Sequence, residues 1–222
     1  MLNQIERNLF LVNSEIKKTA KLYNVDSTKI NLIAVSKKVA SDRIIQAINA
    51  NCKIFGENYV NEAFEKWPEI KAQYPEVKLH FIGHLQSNKT DAVVGLFDCI
   101  QTLDNEKLAK CLQKSILKIN KNIDIFIQVN IGQESQKSGV DIASIKDFID
   151  FSKYECGLNV SGLMCIPPVN ESPVMYFALM KKIAQENNIK NLSMGMSSDY
   201  DEAIALGANF IRLGTAIFGE RK

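Results

Sequence analysis

The 222-residue sequence lacks the features of a membrane protein or of a secreted, disulfide-stabilised domain. No stretch approaches the ~18 consecutive apolar residues that a transmembrane helix needs. The first residues, Met1-Leu2-Asn3, do not lead into an apolar signal-peptide core. The five cysteines are odd in number and widely spaced, and they form neither a Cys-x-x-Cys pair nor a Cys/His cluster. We therefore expect free thiols, no membrane association and a cytoplasmic protein.

A strong charge of either sign is also missing. The chain has 27 Lys and Arg against 25 Asp and Glu, a formal net charge of +2. This small excess is not the basic surface that a nucleic-acid backbone attracts, so we expect no nucleic-acid binding. The two histidines, His80 and His84, have no acidic residue at metal-ligand spacing, and we expect no metal site.

The sequence does contain enough apolar residues, 46%, for a continuous core, together with a regular alternation of strand and helix patterns. Apolar residues at helical spacing predict a first helix over 2–23, which we expect to act as a lid or plug. Eight short apolar runs follow, and each precedes a helical pattern or turn. The predicted strands are 31–36, 53–56, 78–83, 99–102, 123–130, 159–164, 191–194 and 209–213.

This alternation favours a parallel sheet covered by helices, because its strands are apolar on both faces. Eight units favour a closed barrel over a doubly wound open sheet, which usually has about five or six strands. No linker or low-complexity segment interrupts the pattern. We therefore predict an α/β fold in which residues 1–222 form a single (β/α)8 TIM-type barrel domain with an extra N-terminal helix.

In such a barrel the functional residues lie at the carboxyl ends of the strands. Lys37 and Lys38 end the first predicted strand, and a neutral lysine amine can attack a carbonyl group. Strand alternation puts Lys37 on the face of Ile33 and Val35 and puts Lys38 on the other face. It does not tell which face is inside, so either lysine could be the nucleophile or a solvated strand end.

The loops after the last two strands have the composition of a phosphate site, which barrels often build there. Ser197 lies in the first loop, and Gly214 and Thr215 follow the eighth strand. The alternative is that the glycines are ordinary turn residues and that Ser198 or Asp199 caps a helix.

Three further polar residues near strand ends have more than one interpretation. Arg212 keeps its charge in an apolar strand, so it requires either a buried protein acceptor or a ligand acceptor. His80 could be a base, a ligand or a core residue that lines a pocket. Asn58 follows the second strand, where it could reach the rim or cap a helix.

Six sequence segments together resemble the pyridoxal phosphate homeostasis protein family, which shares the barrel of bacterial alanine racemases. The segments are IAVSK (33–37), FGENYV (55–60), HFIGHLQSNK (80–89), GLM (162–164), LSMGMSSD (192–199) and RLGTAIFG (212–219). They extend over nearly the whole chain.

The resemblance implies that pyridoxal 5′-phosphate (PLP) is the cofactor, held as a Schiff base on Lys37. It also implies that Arg212 faces the pyridine nitrogen, as an arginine does in the racemases. The implied phosphate ligands are Ser197, Gly214 and Thr215. The other implied pocket residues are Asn58, His80 and Met164.

An arginine beside the pyridine nitrogen disfavours its protonation and makes the ring a weaker electron sink. In the racemases that the chain resembles over the barrel, a second domain supplies a tyrosine base, and we expect none here because the eight units account for the 222 residues. We therefore predict a non-catalytic monomer that buffers PLP or delivers it to PLP-dependent apoenzymes. The alternatives are an amino-acid racemase with Lys37 and His80 or Tyr59 as bases, and a cofactor-free Schiff-base aldolase or sugar-phosphate enzyme.

Overall fold

A computed structural model describes residues 3–220 of the chain. Eight parallel strands pair in sequential order, and the last pairs with the first, which closes the sheet into a barrel. This confirms the predicted fold class. The strands are β1 (Asn31–Val35), β2 (Ile54–Glu57), β3 (Lys78–Phe81), β4 (Cys99–Leu103), β5 (Asp124–Val129), β6 (Val160–Cys165), β7 (Asn191–Ser193) and β8 (Phe210–Leu213).

The helices surround this barrel. They are α1 (Gln4–Leu22), α2 (Ser41–Asn49), α3 (Val60–Gln73), α4 (Thr90–Leu96), α5 (Glu106–Ile119), α6 (Ile145–Asp150), α7 (Pro173–Glu186), α8 (Tyr200–Ala205) and α9 (Thr215–Phe218). Proline begins α7 at a position where its missing N–H costs no hydrogen bond. The predicted helix over 142–151 is irregular, since α6 follows a 3₁₀ turn and continues into a π-helical turn.

Alternate residues of the strands separate two apolar regions. Outward-facing residues pack under the helices in one large core, which includes Ala34, Phe55 and Leu79. A smaller cluster inside the barrel contains Cys99, Phe126 and Met164, with Phe210 packed against it. The barrel interior is therefore partly filled, and the cavities lie towards its ends.

Helix α1 does not cover the mouth of the barrel, so the prediction of a lid or plug was wrong. Its apolar side, which includes Ile5 and Leu9, is buried, and the helix packs against α2, α8 and α9. The side-chain amide of Asn8 donates to the carbonyl oxygen of Ile217 (2.8 Å). Because α9 is only one turn long, α1 fills the outer position that a full eighth helix would occupy.

Two absences hold over residues 3–220, the part of the chain that the structure describes. None of the helices there is long and apolar enough to cross a membrane. The same residues contain no group of three or more His, Cys, Asp or Glu side chains arranged to hold a metal ion. All five cysteines are free thiols, as predicted.

Candidate functional site

Lys37 reaches the mouth of the barrel because it continues the inward-facing side of β1. Val35 and Lys37 line the same cavity. Lys38, the next residue of the same turn, is exposed and has a left-handed backbone (φ +59°). The structure thus makes the choice that strand alternation left open: of the two lysines, Lys37 lines the cavity.

A largely buried lysine on α3, Lys66, holds the backbone on both sides of Lys37. Its ammonium group donates to the carbonyl oxygens of Ser36 (3.0 Å) and Val39 (3.3 Å). The hydroxyl group of Ser36 donates in turn to Glu57 Oε1 (2.7 Å). Hydrogen bonds to a charged group in such a protected place are stronger than those at the surface. The position of Lys37 is therefore set by contacts on the outer side of the sheet.

Glu57, the last residue of β2, is the buried counter-ion of this lysine. Its side chain is fully buried, and its Oε1 accepts from Lys66 Nζ (2.8 Å) and Trp67 Nε1 (3.0 Å). Lys66 also pairs with Glu62 (2.8 Å), which accepts the backbone N–H of Lys38. One connected charge cluster thus contacts the loop that carries the cavity lysine.

The Arg212 guanidinium lies inside the barrel and lines the same cavity. It donates to Ser193 Oγ (2.8 Å) and to the carbonyl oxygen of Cys165 (2.9 Å). Burial lowers the pKa of Arg212, yet a guanidinium remains charged at neutral pH. Two protein acceptors therefore anchor the group, which has further N–H donors available for a ligand.

The loops after β7 and β8 meet beside the cavity, which Ser197, Gly214 and Thr215 line. Thr215 Oγ1 donates to Ser197 Oγ (3.2 Å), and both side chains are exposed. Asp199 accepts the backbone N–H of Met196 (2.6 Å) and makes no side-chain cap of α8, although a cap was one predicted alternative. Burial raises the pKa of Asp199, an effect that the Met196 amide and nearby Arg212 oppose.

Asn58 enters the cavity from the end of β2. Its Oδ1 is buried and has no hydrogen-bond partner among the described residues. Gly83 packs directly behind it, because a Cβ at this position would lie 2.0 Å from the Asn58 carbonyl oxygen. The absence of a side chain at Gly83 thus allows Asn58 to sit where it does.

These residues line one cavity of about 400 Å³ at the carboxyl ends of the strands. The residues predicted from the sequence that line it are Lys37, Asn58, Ser197, Arg212, Gly214 and Thr215. The sequence analysis missed the remaining lining residues, which are Val35, Ile82, Ile166, Met196 and Ser198. Strand alternation could have identified Val35, Ile82 and Ile166 once the inward face was known.

Two of the predicted pocket residues, His80 and Met164, do not line this cavity. Each lies two residues before a lining residue, Ile82 or Ile166, and therefore about 6.6 Å deeper along its strand. Met164 packs in the inner apolar cluster, and His80 reaches a separate cavity. The position of Tyr59 also differs from what a racemase would need, because it lines a neighbouring pocket beside His84.

The comparisons with known proteins agree with this geometry. The sequence profile of the family "Alanine racemase, N-terminal domain" matches residues 3–222. A protein of Haemophilus influenzae named pyridoxal phosphate homeostasis protein is 35% identical over 230 residues, which cover 98% of this chain and 96% of that protein.

Solved structures give the same result at the level of the fold. The structure of PipY from Synechococcus elongatus with PLP bound has a TM-score of 0.82 at 31% identity and covers 97% of this chain and 100% of that one. An alanine racemase of Clostridium difficile has a TM-score of 0.75 at 14% identity, and the match covers 99% of this chain but 57% of the racemase. The racemase therefore shares the fold alone.

Fold and site together define a barrel of the alanine racemase N-terminal type, with an amine, a guanidinium and two hydroxyl-bearing loops at its mouth. Within that class, the full-length similarity is decisive. The chain belongs to the pyridoxal phosphate homeostasis protein family.

Proposed function

We propose that this barrel binds PLP as a Schiff base on Lys37 and acts in PLP homeostasis, by buffering or delivering the cofactor. One observation carries the proposal: the Lys37 amine, the Arg212 guanidinium and the hydroxyl groups of Ser197 and Thr215 line one cavity. The name of the Haemophilus influenzae relative and the PLP bound to PipY support it.

The residues of the cavity fit this cofactor. PLP supplies an aldehyde that condenses with a lysine amine and a ring that withdraws electrons. The cavity, at about 400 Å³, is in the size range of small-molecule sites. In the proposed arrangement Ser197, Gly214 and Thr215 hold the phosphate and Arg212 faces the pyridine nitrogen. The unpartnered Oδ1 of Asn58 offers one more acceptor to the ligand.

We propose that binding is not followed by catalysis. The permanent charge of Arg212 disfavours a proton on the adjacent pyridine nitrogen and so weakens the electron-withdrawing power of the ring. A racemase also needs a second base opposite the lysine, and neither His80 nor Tyr59 lines the Lys37 cavity. A non-enzymatic role is consistent with the name of the relatives.

Borohydride reduction of the PLP-loaded protein, followed by peptide mapping, tests the site. We expect one pyridoxyl label, on Lys37, and loss of the yellow absorbance in Lys37→Ala. The matched control is Lys38→Ala, which changes the neighbouring exposed lysine and should keep both the absorbance and the label. A label on Lys38, or a protein that never turns yellow with PLP, would refute the proposal.

We further propose that residues 1–222 act as one domain, as a monomer in the cytoplasm, and that PLP-dependent apoenzymes receive the cofactor. Five free thiols are in keeping with a reducing compartment. Light scattering of the purified protein measures its mass, and a single cooperative unfolding transition would support one domain. Activation of an apoenzyme by the loaded barrel, faster than by PLP released into solution, would support delivery.

A further inference from the structure

A chain of hydrogen bonds crosses the interior of the barrel from Arg212 to His80. Arg212 donates to Ser193 Oγ (2.8 Å), and Ser193 Oγ donates to Gln101 Oε1 (2.6 Å). The Gln101 amide nitrogen lies 3.0 Å from His80 Nδ1. All four side chains are buried, and they come from β8, β7, β4 and β3. Such a chain links residues on opposite walls of the barrel.

The guanidinium sets the direction of the first bond in this chain, because it can only donate. Ser193 Oγ must accept from Arg212, so its single hydrogen is free to go to Gln101 Oε1. The amide of Gln101 then presents its NH₂ group to His80. With the Gln101 amide in this orientation His80 Nδ1 accepts, and the imidazole is then neutral with its proton on Nε2.

His80 is located at the amino end of the barrel, away from the Lys37 cavity. It lines a second cavity of about 240 Å³, formed with Lys78, Asp98, Asn122 and Asp124. Burial lowers the pKa of His80 to about 4, with Lys78 acting in the same direction and Asp98 against it. The neutral imidazole that the bond directions require agrees with this environment.

We propose that Ser193 and Gln101 are positioning residues that hold the Arg212 guanidinium in place, with neutral His80 as the final acceptor of the chain. The inference rests on the proposed function, since Arg212 is taken to contact the bound PLP. A guanidinium that loses Ser193 keeps one protein acceptor, the carbonyl oxygen of Cys165, so its position over the cavity is less well defined.

The first test measures PLP affinity. Ser193→Ala removes the hydroxyl group, and we expect the Kd for PLP to rise about tenfold, as for loss of one buried hydrogen bond to a charged group. Ser193→Thr keeps a hydroxyl group and should restore most of the affinity. Ser161→Ala, which changes a serine of β6 that does not contact Arg212, is the matched control and should bind PLP as the wild type does.

The second test needs no cofactor. Nitrogen-15 NMR of the PLP-free protein should show His80 at neutral pH with a pyridine-type Nδ1 and a protonated Nε2. Gln101→Leu removes the donor to Nδ1 and should shift the ring towards a mixture of tautomers, whereas Ser161→Ala should leave it unchanged. Circular dichroism checks that each variant is folded. If Gln101→Leu does not fold, Ser193→Ala, which is the smallest change, takes its place in the NMR test.

The two proposals fail in different ways. Wild-type affinity in folded Ser193→Ala, with Lys37 still labelled, would overturn the positioning role and leave the proposed function intact. A His80 that carries its proton on Nδ1 would also overturn it. Wild-type protein that does not bind PLP would refute the proposed function. The donor and acceptor roles along the hydrogen-bond chain would then be decided by the His80 tautomer alone.

Discussion

Lys66 occupies a position that few lysines occupy, because its side chain is only 11% exposed and its counter-ion Glu57 is fully buried. Removing one member of a buried ion pair leaves the other uncompensated, which costs more than the pair itself contributes. This pair also contacts the backbone on both sides of Lys37. Stability and the placement of the cavity lysine therefore depend on the same side chains.

Lys66→Met is expected to lower the free energy of unfolding by about 3 kcal/mol, because the Glu57 charge stays buried without its partner. It should also slow the reaction of Lys37 with PLP. The exposed lysine of a surface ion pair provides the control: Lys182→Met should change stability by less than about 0.5 kcal/mol. Urea unfolding and borohydride trapping measure the two effects, and equal stabilities of the two variants would contradict the prediction.

At the residue scale, the sequence indicates which strand ends carry polar side chains but not how far along each strand the cavity extends. The structure brings Lys37, Ser197 and Arg212 to one cavity, and their contacts with PLP stay a prediction. His80 and Met164 were expected with them, but sequence does not specify at which residue a strand reaches the rim. The bonds from Lys66 to Ser36 could not be predicted, since they depend on how α3 packs against the sheet.

At the level of elements, the segments that follow β2 and β3 pack so closely together that Gly83 has no room for a side chain. A Cβ there would lie 2.0 Å from the Asn58 carbonyl oxygen, and backbone cannot yield as a flexible side chain does. Gly95, within α4, has open space where a Cβ would lie, because no described atom beyond its chain neighbours and its own helix backbone comes within 4 Å. The two glycines therefore form a natural pair for comparison.

Gly83→Ala should destabilise the protein, whereas Gly95→Ala should not. Gly83→Ala is expected to destabilise the barrel by about 1–3 kcal/mol through overpacking and to weaken PLP binding, because Asn58 must move. Gly95→Ala should be neutral or stabilise the protein by up to about 1 kcal/mol, since alanine is the better helix former. Thermal unfolding of both variants provides the comparison, and a loss of stability in Gly95→Ala alone would refute the argument.

Hydrophobic periodicity predicted all eight strands and the order of the barrel, because burial on both faces leaves a distinct pattern. It did not predict the register shifts between β4 and β5 and between β5 and β6, which depend on local backbone geometry. It also did not predict where α1 packs. An amphipathic pattern shows that one face of a helix is buried, but it does not identify the elements that cover that face.

For the whole molecule, buried His80 makes stability depend on pH. The folded barrel keeps this imidazole neutral down to about pH 4, whereas the unfolded chain takes up its proton near pH 6.5. The unfolded state therefore binds more protons between these values, and the free energy of unfolding falls as the pH drops through this window. The contribution, about 3 kcal/mol, is fully present above pH 6.5.

Chemical denaturation between pH 4 and pH 7 tests this expectation. Carboxylates in general begin to take up protons near the lower end of this range, so the wild type is compared with His80→Gln, which changes no carboxylate. The slope of stability against pH should be smaller in His80→Gln than in the wild type. His84→Gln, at an exposed position, should keep the wild-type slope, and identical slopes for all three proteins would contradict the prediction.

The packing of α1 against α8 and α9 also has a consequence during protein synthesis. Asn8 bonds to the carbonyl oxygen of Ile217, and 209 positions of sequence separate the two residues. A ribosome therefore completes α1 and its neighbour α2 long before it makes α8 and α9, the other two helices against which α1 packs. Until then part of the apolar side of α1 is open to solvent or to a chaperone, and contacts so distant in sequence form slowly.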